Sequence, residues 1–180
     1  MKGPRRSARR RRLTPLEKIP LSLATTDLAD VCSEVTNDFK VSHRNSKITV
    51  KCRGRLTGEW DEARVHQALS NLLKNAIEYG KRDGTVTVTC KGGAHEVLLS
   101  VHNEGTPIAL TKQRHIFEPF RRSAAKDDDD APYLANNHVG LGLYVVNQIA
   151  EAHGGSVEIT SEAKAGTTFT MRLPRKQAAP

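Results

Sequence analysis

Asn71 and Asn75 stand four residues apart in the stretch Ala68-Leu69-Ser70-Asn71-Leu72-Leu73-Lys74-Asn75-Ala76-Ile77-Glu78-Tyr79-Gly80. Val65, Leu69, Leu72, Leu73, Ala76 and Ile77 recur there at helical spacing and form one apolar face. The two carboxamides therefore lie one above the other on a stripe beside that face. An unsatisfied buried amide costs about 1–3 kcal/mol, so both need partners. Either the protein supplies them or a ligand and its metal do.

Three further segments hold groups with chemistry. Asn103-Glu104-Gly105-Thr106-Pro107-Ile108 follows directly on a predicted strand. Gly105 and Pro107 are turn residues that let backbone approach a flat ligand, and Asn103 at the strand end can accept from an exocyclic amine, worth about 0.5–1.5 kcal/mol. The plain alternative is a connecting loop. Ile116-Phe117-Glu118-Pro119-Phe120-Arg121-Arg122 sets two aromatics around a Glu-Pro pair, ahead of two guanidinium groups. In a chain with only 4% aromatic residues, that pair reads as a plug holding a loop down. Residues 123–138 offer little that can pack and include the aspartate run 127–130, so a functional flap is expected there. Gly140-Leu141-Gly142-Leu143 then enters a helix. Glycines at a helix start expose free amides and a partial positive charge that suit a phosphate, or they serve the backbone alone.

The elements that must position these groups are legible from periodicity. Residues 21–23 read as a short edge strand, and Thr26 as the cap of a helix with inner face Leu28, Val31, Cys32, Val35 and Phe39, ending near Lys40. Ile48, Val50 and Cys52 alternate as a strand, residues 56–60 are extended, and Asp61 caps the Asn-bearing helix. Val86, Val88 and Cys90 pair across Gly92-Gly93 with Val97, Leu99 and Val101. A helix from about Gly140 with Leu143, Val146, Ile149 and Ala150 closes at His153-Gly154-Gly155. Val157 and Ile159 then pair across Ala165-Gly166 with Phe169, Met171 and Leu173. That order predicts a two-layer sandwich of sheet and helices.

At 180 residues and 37% apolar content, one well-packed domain is the expectation. The net charge of +8 is misleading, because Lys2, Arg5, Arg6 and the arginines 9–12 supply seven charges with no acid among them. The remainder is nearly neutral, so no specific nucleic-acid partner is expected. Cys32, Cys52 and Cys90 sit in apolar patterns without metal-like spacing and read as core residues in a reducing compartment. No apolar run is long enough for a transmembrane segment, so a cytoplasmic location is expected for this chain.

Taken in order, Asn71-x-x-x-Asn75-Ala76, Asn103-x-Gly105-x-Pro107-Ile108, Phe117-Glu118-Pro119-Phe120 and Gly140-Leu141-Gly142-Leu143 resemble the N, G1, F and G2 boxes of the ATP-binding catalytic domain of bacterial sensor histidine kinases. That superfamily also holds DNA gyrase, MutL and the ninety-kilodalton heat-shock chaperone. Ala152-His153-Gly154-Gly155 and Gly166-Thr167-Thr168-Phe169 are similar to its closing motifs. The resemblance implies an α+β Bergerat fold, a mixed, mostly antiparallel sheet covered on one face by about three helices. It implies a basic tail or linker over residues 1–20, or the remnant of a dimerisation helix. An ATPase domain over 21–175 with an ATP lid at about 111–139 follows, then a short tail, 176–180.

The same resemblance implies ATP and Mg²⁺ as cofactors. Asn75 would coordinate the metal, with Asn71 supporting the metal or its waters. Tyr79 would pack near the nucleotide, Asn103 would bind the base, and Gly105, Pro107 and Ile108 would line it. Phe117 and Phe120 would anchor the lid, Arg121 and Arg122 would clamp phosphate, and Gly140, Leu141, Gly142 and Leu143 would cradle the phosphates. The chain departs from the family pattern at Asn103 (usually Asp), Glu78 (usually Lys) and His138 (usually Gly). None of His43, His66, His95, His102, His115, His138 and His153 lies in a phosphoacceptor setting, so no catalytic histidine is assigned. The implied partners are a histidine-bearing dimerisation domain, and a response regulator indirectly. Two other activities stay open: a nucleotide-gated interaction module with little phosphotransfer, and an anti-sigma-type serine kinase.

Overall fold

The computed structural model describes residues 19–119 and 140–176. In chain order the elements are β1 (Ala24–Asp27), α1 (Leu28–Ser42), β2 (Lys47–Arg53), β3 (Thr57–Trp60), α2 (Glu62–Tyr79), β4 (Thr85–Gly92), β5 (Glu96–Asn103), α3 (Leu110–Gln113), α4 (Gly142–Ala152), β6 (Ser156–Glu162) and β7 (Gly166–Pro174). Five strands form one sheet in the order β2-β4-β5-β7-β6, and β1 and β3 form a separate two-stranded ribbon. Only β2 and β4 run parallel in the large sheet.

Period-two alternation decides which face of the sheet is covered. Val86, Val88 and Cys90 of β4, Val97, Leu99 and Val101 of β5, and Phe169, Met171 and Leu173 of β7 are all buried. They meet Leu28, Val31 and Val35 of α1, the Leu69, Leu72 and Leu73 row of α2, and Val146 and Ile149 of α4 in one core. Their alternate neighbours, such as Thr87, Thr89, Ser100 and Thr170, face away from the helices and stay at least partly exposed. Each β-branched or Leu side chain fully buried this way contributes roughly 1.5–3 kcal/mol. The hairpins pair as expected, Val157 opposite Met171 and Ile159 opposite Phe169. Gly166 opens β7 at φ +79°, and a Cβ there would lie 2.4 Å from the Asn103 carbonyl oxygen, so only glycine fits.

Two local expectations are corrected. Residues 21–23 are not a strand: β1 lies one step further on and pairs with β3, and Leu23 is 46% exposed. The cap of α1 is Asp27, whose Oδ1 accepts from the Ala29 amide at 2.9 Å. Thr26 is instead buried, with its hydroxyl turned to the Ala24 and Trp60 carbonyls. Helix α1 ends at Ser42, near Lys40 as expected, and the His43 ring stacks on that of Phe39. Helix α4 begins at Gly142, close to the expected start at about Gly140, which itself lies in the left-handed region at φ +69°.

Cys32 and Cys90 are buried core residues, but Cys52 on the sheet's edge strand is exposed. Cys90's thiol beside it and burial push the Cys32 thiol far up, so it stays protonated. Burial, followed by the Cys90 thiol, also pushes Cys52 up.

His153, fully buried, joins the end of α4 to the start of α2. Its Nδ1–H donates to the Ile149 carbonyl at 2.8 Å, and its Nε2 accepts from the Asp61 amide at 3.0 Å. Asp61 in turn caps α2, taking the Arg64 amide at 3.0 Å and the Ser22 amide at 2.8 Å. Burial raises the Asp61 carboxyl, but those two amides and the Arg64 charge outweigh it and hold it below the usual range. Burial lowers His153, against smaller raising effects from Ile149 and Asp61.

A protonated His153 could not accept the Asp61 amide, so the unfolded chain binds that proton more readily. This contribution to stability is complete above the ordinary histidine value of 6.5 and is lost as the pH falls through the lowered folded value. Asp61 titrates too low to act in that window. The urea unfolding midpoint is therefore expected to drop as the pH falls from about 7.5 through 6.5 and below, and His153→Gln should flatten that slope.

Candidate functional site

Asn71, Asn75 and Tyr79 occur at i, i+4 and i+8 on α2, which sets them in one stripe about 12 Å long. The helix forms because Asp61 caps it and an unbroken apolar row is buried beneath. Asn71 and Asn75 are each half-buried on the rim of that row, while Tyr79 is 49% exposed. Among the described residues, neither carboxamide has a side-chain hydrogen bond. The core has therefore not absorbed them, and their polar atoms are directed to whatever fills the space above the stripe.

One end of the stripe meets α4. A Cβ built on Gly142 would lie 3.8 Å from Asn71 Oδ1, so the N-terminal turn of α4 stands directly against the first carboxamide. Among the described residues no side chain caps that turn. Its free amides and partial positive charge therefore share a space with Asn71. Leu143 packs on the core and holds the turn down, and Leu141 is partly exposed.

The other end meets the loop after β5. The Lys81 amide donates to the Glu104 carbonyl at 2.6 Å. A Cβ on Gly105 would sit 2.8 Å from the Tyr79 carbonyl oxygen and 3.3 Å from Asn103 Nδ2, so glycine is what allows the loop to lie against α2. Asn103 is 5% exposed, and its Nδ2 donates to the Glu104 carbonyl at 3.3 Å. Tyr79, Gly105 and Pro107, with Lys81, His102 and the β6–β7 turn, line a cleft of about 700 Å³. That volume lies in the range of small-molecule sites.

Ser161, Gln113 and Thr167 fix this loop, and reasoning from the sequence had assigned the first two no role. Ser161 Oγ accepts from the Ile108 amide at 2.9 Å and is 2.7 Å from Thr167 Oγ1, while Gln113 Nε2 donates to the Ile108 carbonyl at 2.7 Å. The one available signal was hairpin register, which sets Ser161 opposite Thr167. Ile108 itself packs against the core. Phe117 packs edge-on against Phe169 at 6.2 Å, tying the segment after α3 onto β7.

Phe120, Arg121, Arg122, His138 and most of the expected lid at 111–139 lie outside the described residues. Glu78 is exposed and forms no ion pair among the described residues. No cluster of three His, Cys, Asp or Glu side chains able to hold a metal ion occurs among them either. No helix there is long and apolar enough to cross a membrane.

Residues 60–177 match the family model described as histidine kinase-, DNA gyrase B-, and HSP90-like ATPase. The sensor protein IrlS of Burkholderia pseudomallei is 31% identical over 158 residues, covering 88% of this chain and 33% of that protein. The sensor-like histidine kinase SenX3 of Mycolicibacterium smegmatis is 31% identical over 167 residues, 91% of this chain and 41% of that protein. The chain thus spans well under half the length of these relatives. Among solved structures, the catalytic domain of histidine kinase ThkA superposes with a TM-score of 0.73 at 26% identity, over 86% of this chain and 99% of that one. Full-length ShkA, solved in complex with AMPPNP, gives 0.74 at 27% identity, over 91% of this chain and 33% of that one. With residues 60–177 matching that family model, the chain belongs to the histidine kinase-, DNA gyrase B-, and HSP90-like ATPase family.

Proposed function

We propose that this chain binds Mg-ATP along the α2 stripe and acts as the catalytic domain of a two-component sensor histidine kinase. It would pass the γ-phosphate to a histidine on a dimerisation domain, from which a response regulator is served. The observation that carries this reading is the half-buried carboxamide pair without side-chain hydrogen bonds among the described residues, on a helix whose Asn71 stands against the start of α4 and whose last residue, Tyr79, lines a small-molecule-sized cleft. Relatives named as sensor proteins and histidine kinases support it. Consumption of ATP suits a domain that faces the cytoplasm.

The donor set fits a magnesium ion that arrives with a polyphosphate. Mg²⁺ keeps several waters and binds through few protein oxygens, so neutral carboxamides with phosphate oxygens are adequate ligands. Asn75 would hold the ion and Asn71 would orient it or its waters; when bound, the ion neutralises charge that develops on the transferring phosphoryl group. The start of α4, with Gly140 and Gly142, would receive phosphate oxygens on free amides. Asn103 would accept from the adenine amine, with Tyr79, Gly105, Pro107 and Ile108 closing around the ring. Asn71 cannot take up a proton as a carboxylate would, so it cannot activate water as a base. Transfer to a positioned acceptor is thereby favoured over hydrolysis.

Incubation with labelled ATP and a separately expressed histidine-bearing dimerisation domain tests the reading. Acid-labile phosphohistidine is expected on that domain. Acid-stable phosphoserine on a sigma antagonist would indicate the serine-kinase activity instead, and nucleotide binding with no transfer would indicate a gated interaction module.

A further inference from the structure

We propose that Ser161 and Gln113 are positioning residues that set nucleotide affinity by holding the Ile108 peptide in place; this rests on the reading of the α2 stripe and its neighbouring loop as a nucleotide site. Residues 104–109, which join β5 to α3, belong to no strand or helix. The Ile108 amide and carbonyl therefore take no part in a ladder or a helical turn, and each must find a partner elsewhere. Both find side chains. The amide donates to Ser161 Oγ of β6 at 2.9 Å, and the carbonyl accepts from Gln113 Nε2 of α3 at 2.7 Å. Gln113 Nε2 also lies 3.5 Å from the Ser161 carbonyl oxygen, so the two clamps meet.

Strand register explains why this clamp bears on the site. Ser161, Thr167 and Asn103 stand side by side across β6, β7 and β5. Thr167 and Asn103 are buried on the helix-covered face of the sheet. Ser161 shares that face, since its Oγ lies 2.7 Å from Thr167 Oγ1. That hydrogen bond fixes the serine rotamer and aims the hydroxyl at Ile108. In the same loop, Gly105 and Pro107 stand beside Tyr79, the last residue of the α2 stripe. A shift at Ile108 thus moves the loop against which a ligand on α2 would rest. Neither Ser161 nor Gln113 needs to reach the nucleotide. Without either bond the loop samples other positions and must be ordered as the ligand binds, which costs affinity.

Titration of a fluorescent ATP analogue with Mg²⁺ into the intact chain, alongside urea unfolding to establish that each variant is folded, tests the assignment. Ser161→Ala and Gln113→Met each remove one bond without adding charge, and each should weaken binding by about fivefold to tenfold. Ser161→Thr keeps the hydroxyl and should bind within about twofold of wild type. Wild-type affinity in either folded single variant, or a loss in Ser161→Thr as large as that in Ser161→Ala, would overturn the positioning role and leave the nucleotide site standing. Failure of the wild-type chain to bind the analogue would overturn the site itself. Should Ser161→Ala not fold, Gln113→Met decides alone, since that side chain is only half-buried on a four-residue helix.

Discussion

Asn75→Ala is expected to weaken Mg-ATP binding by on the order of a hundredfold while shifting the free energy of unfolding by less than about 0.5 kcal/mol. Asn75 lies on the half-buried stripe of α2 and holds no side-chain partner among the described residues, so its removal orphans no protein group. Alanine also favours the helix, by a few tenths of a kcal/mol. What is lost is the oxygen proposed to hold the magnesium ion, and a hydrogen bond or ligand contact to charged groups is worth about 1.5–3 kcal/mol. Calorimetric titration of Mg-ATP and urea unfolding of the same preparation check both halves. Retained affinity in Asn75→Ala, or a large loss of stability, would assign that carboxamide to the scaffold.

Arg175→Ala should do the reverse. Arg175 follows the last strand, is 9% exposed, and among the described residues its guanidinium donates to backbone carbonyls, those of Arg55, Thr57 and Gly93. Its own backbone takes the Glu59 amide and gives to the His95 carbonyl, and next to it the Pro174 carbonyl receives the Trp60 indole N–H at 2.8 Å. One side chain thus clips the β1–β3 ribbon and the β4–β5 turn to the end of β7. Truncation would leave several carbonyls without donors, at about 1–3 kcal/mol each, so a loss on the order of 3–5 kcal/mol is expected. Lysine would restore less than half of it, since a single ammonium cannot reproduce the planar fork. Mg-ATP affinity, measured where the variant is still folded, should stay within about twofold because the clip lies away from the α2 stripe. Urea unfolding curves for the two variants separate the effects.

The contrast between these residues shows what periodicity could reveal. The Asn71–Asn75 pair was legible because both its spacing and the apolar row beneath it are local, and α2 forms wherever that row is buried. The β4–β5 and β6–β7 hairpins were legible for the same reason, with alternation and turn glycines inside a few residues of each other. The β1–β3 ribbon was not, because Ala24–Asp27 has no alternation and its partner lies across a whole helix and strand. Thr26 and Asp27 are both able caps, and the choice between them is tertiary: the Trp60 carbonyl draws the threonine inward. Arg175, His153 and Ser161 act through partners 53 to 120 residues distant, which no local pattern encodes. The box motifs name the loop around Asn103, but the groups that hold it in place, Ser161 and Gln113, came only with the register of the sheet.

The central claim is that the carboxamides of Asn71 and Asn75 face the nucleotide. The side-chain NH₂ signals of these two residues, followed in a nitrogen-15-labelled sample as Mg-ATP is added, test it directly. Both pairs of signals should shift in a saturable manner, with one dissociation constant shared with the amides of Gly140 and Gly142. Signals from Asn71 and Asn75 that stay unmoved while Mg-ATP saturates the protein, or no response anywhere in the spectrum, would contradict it.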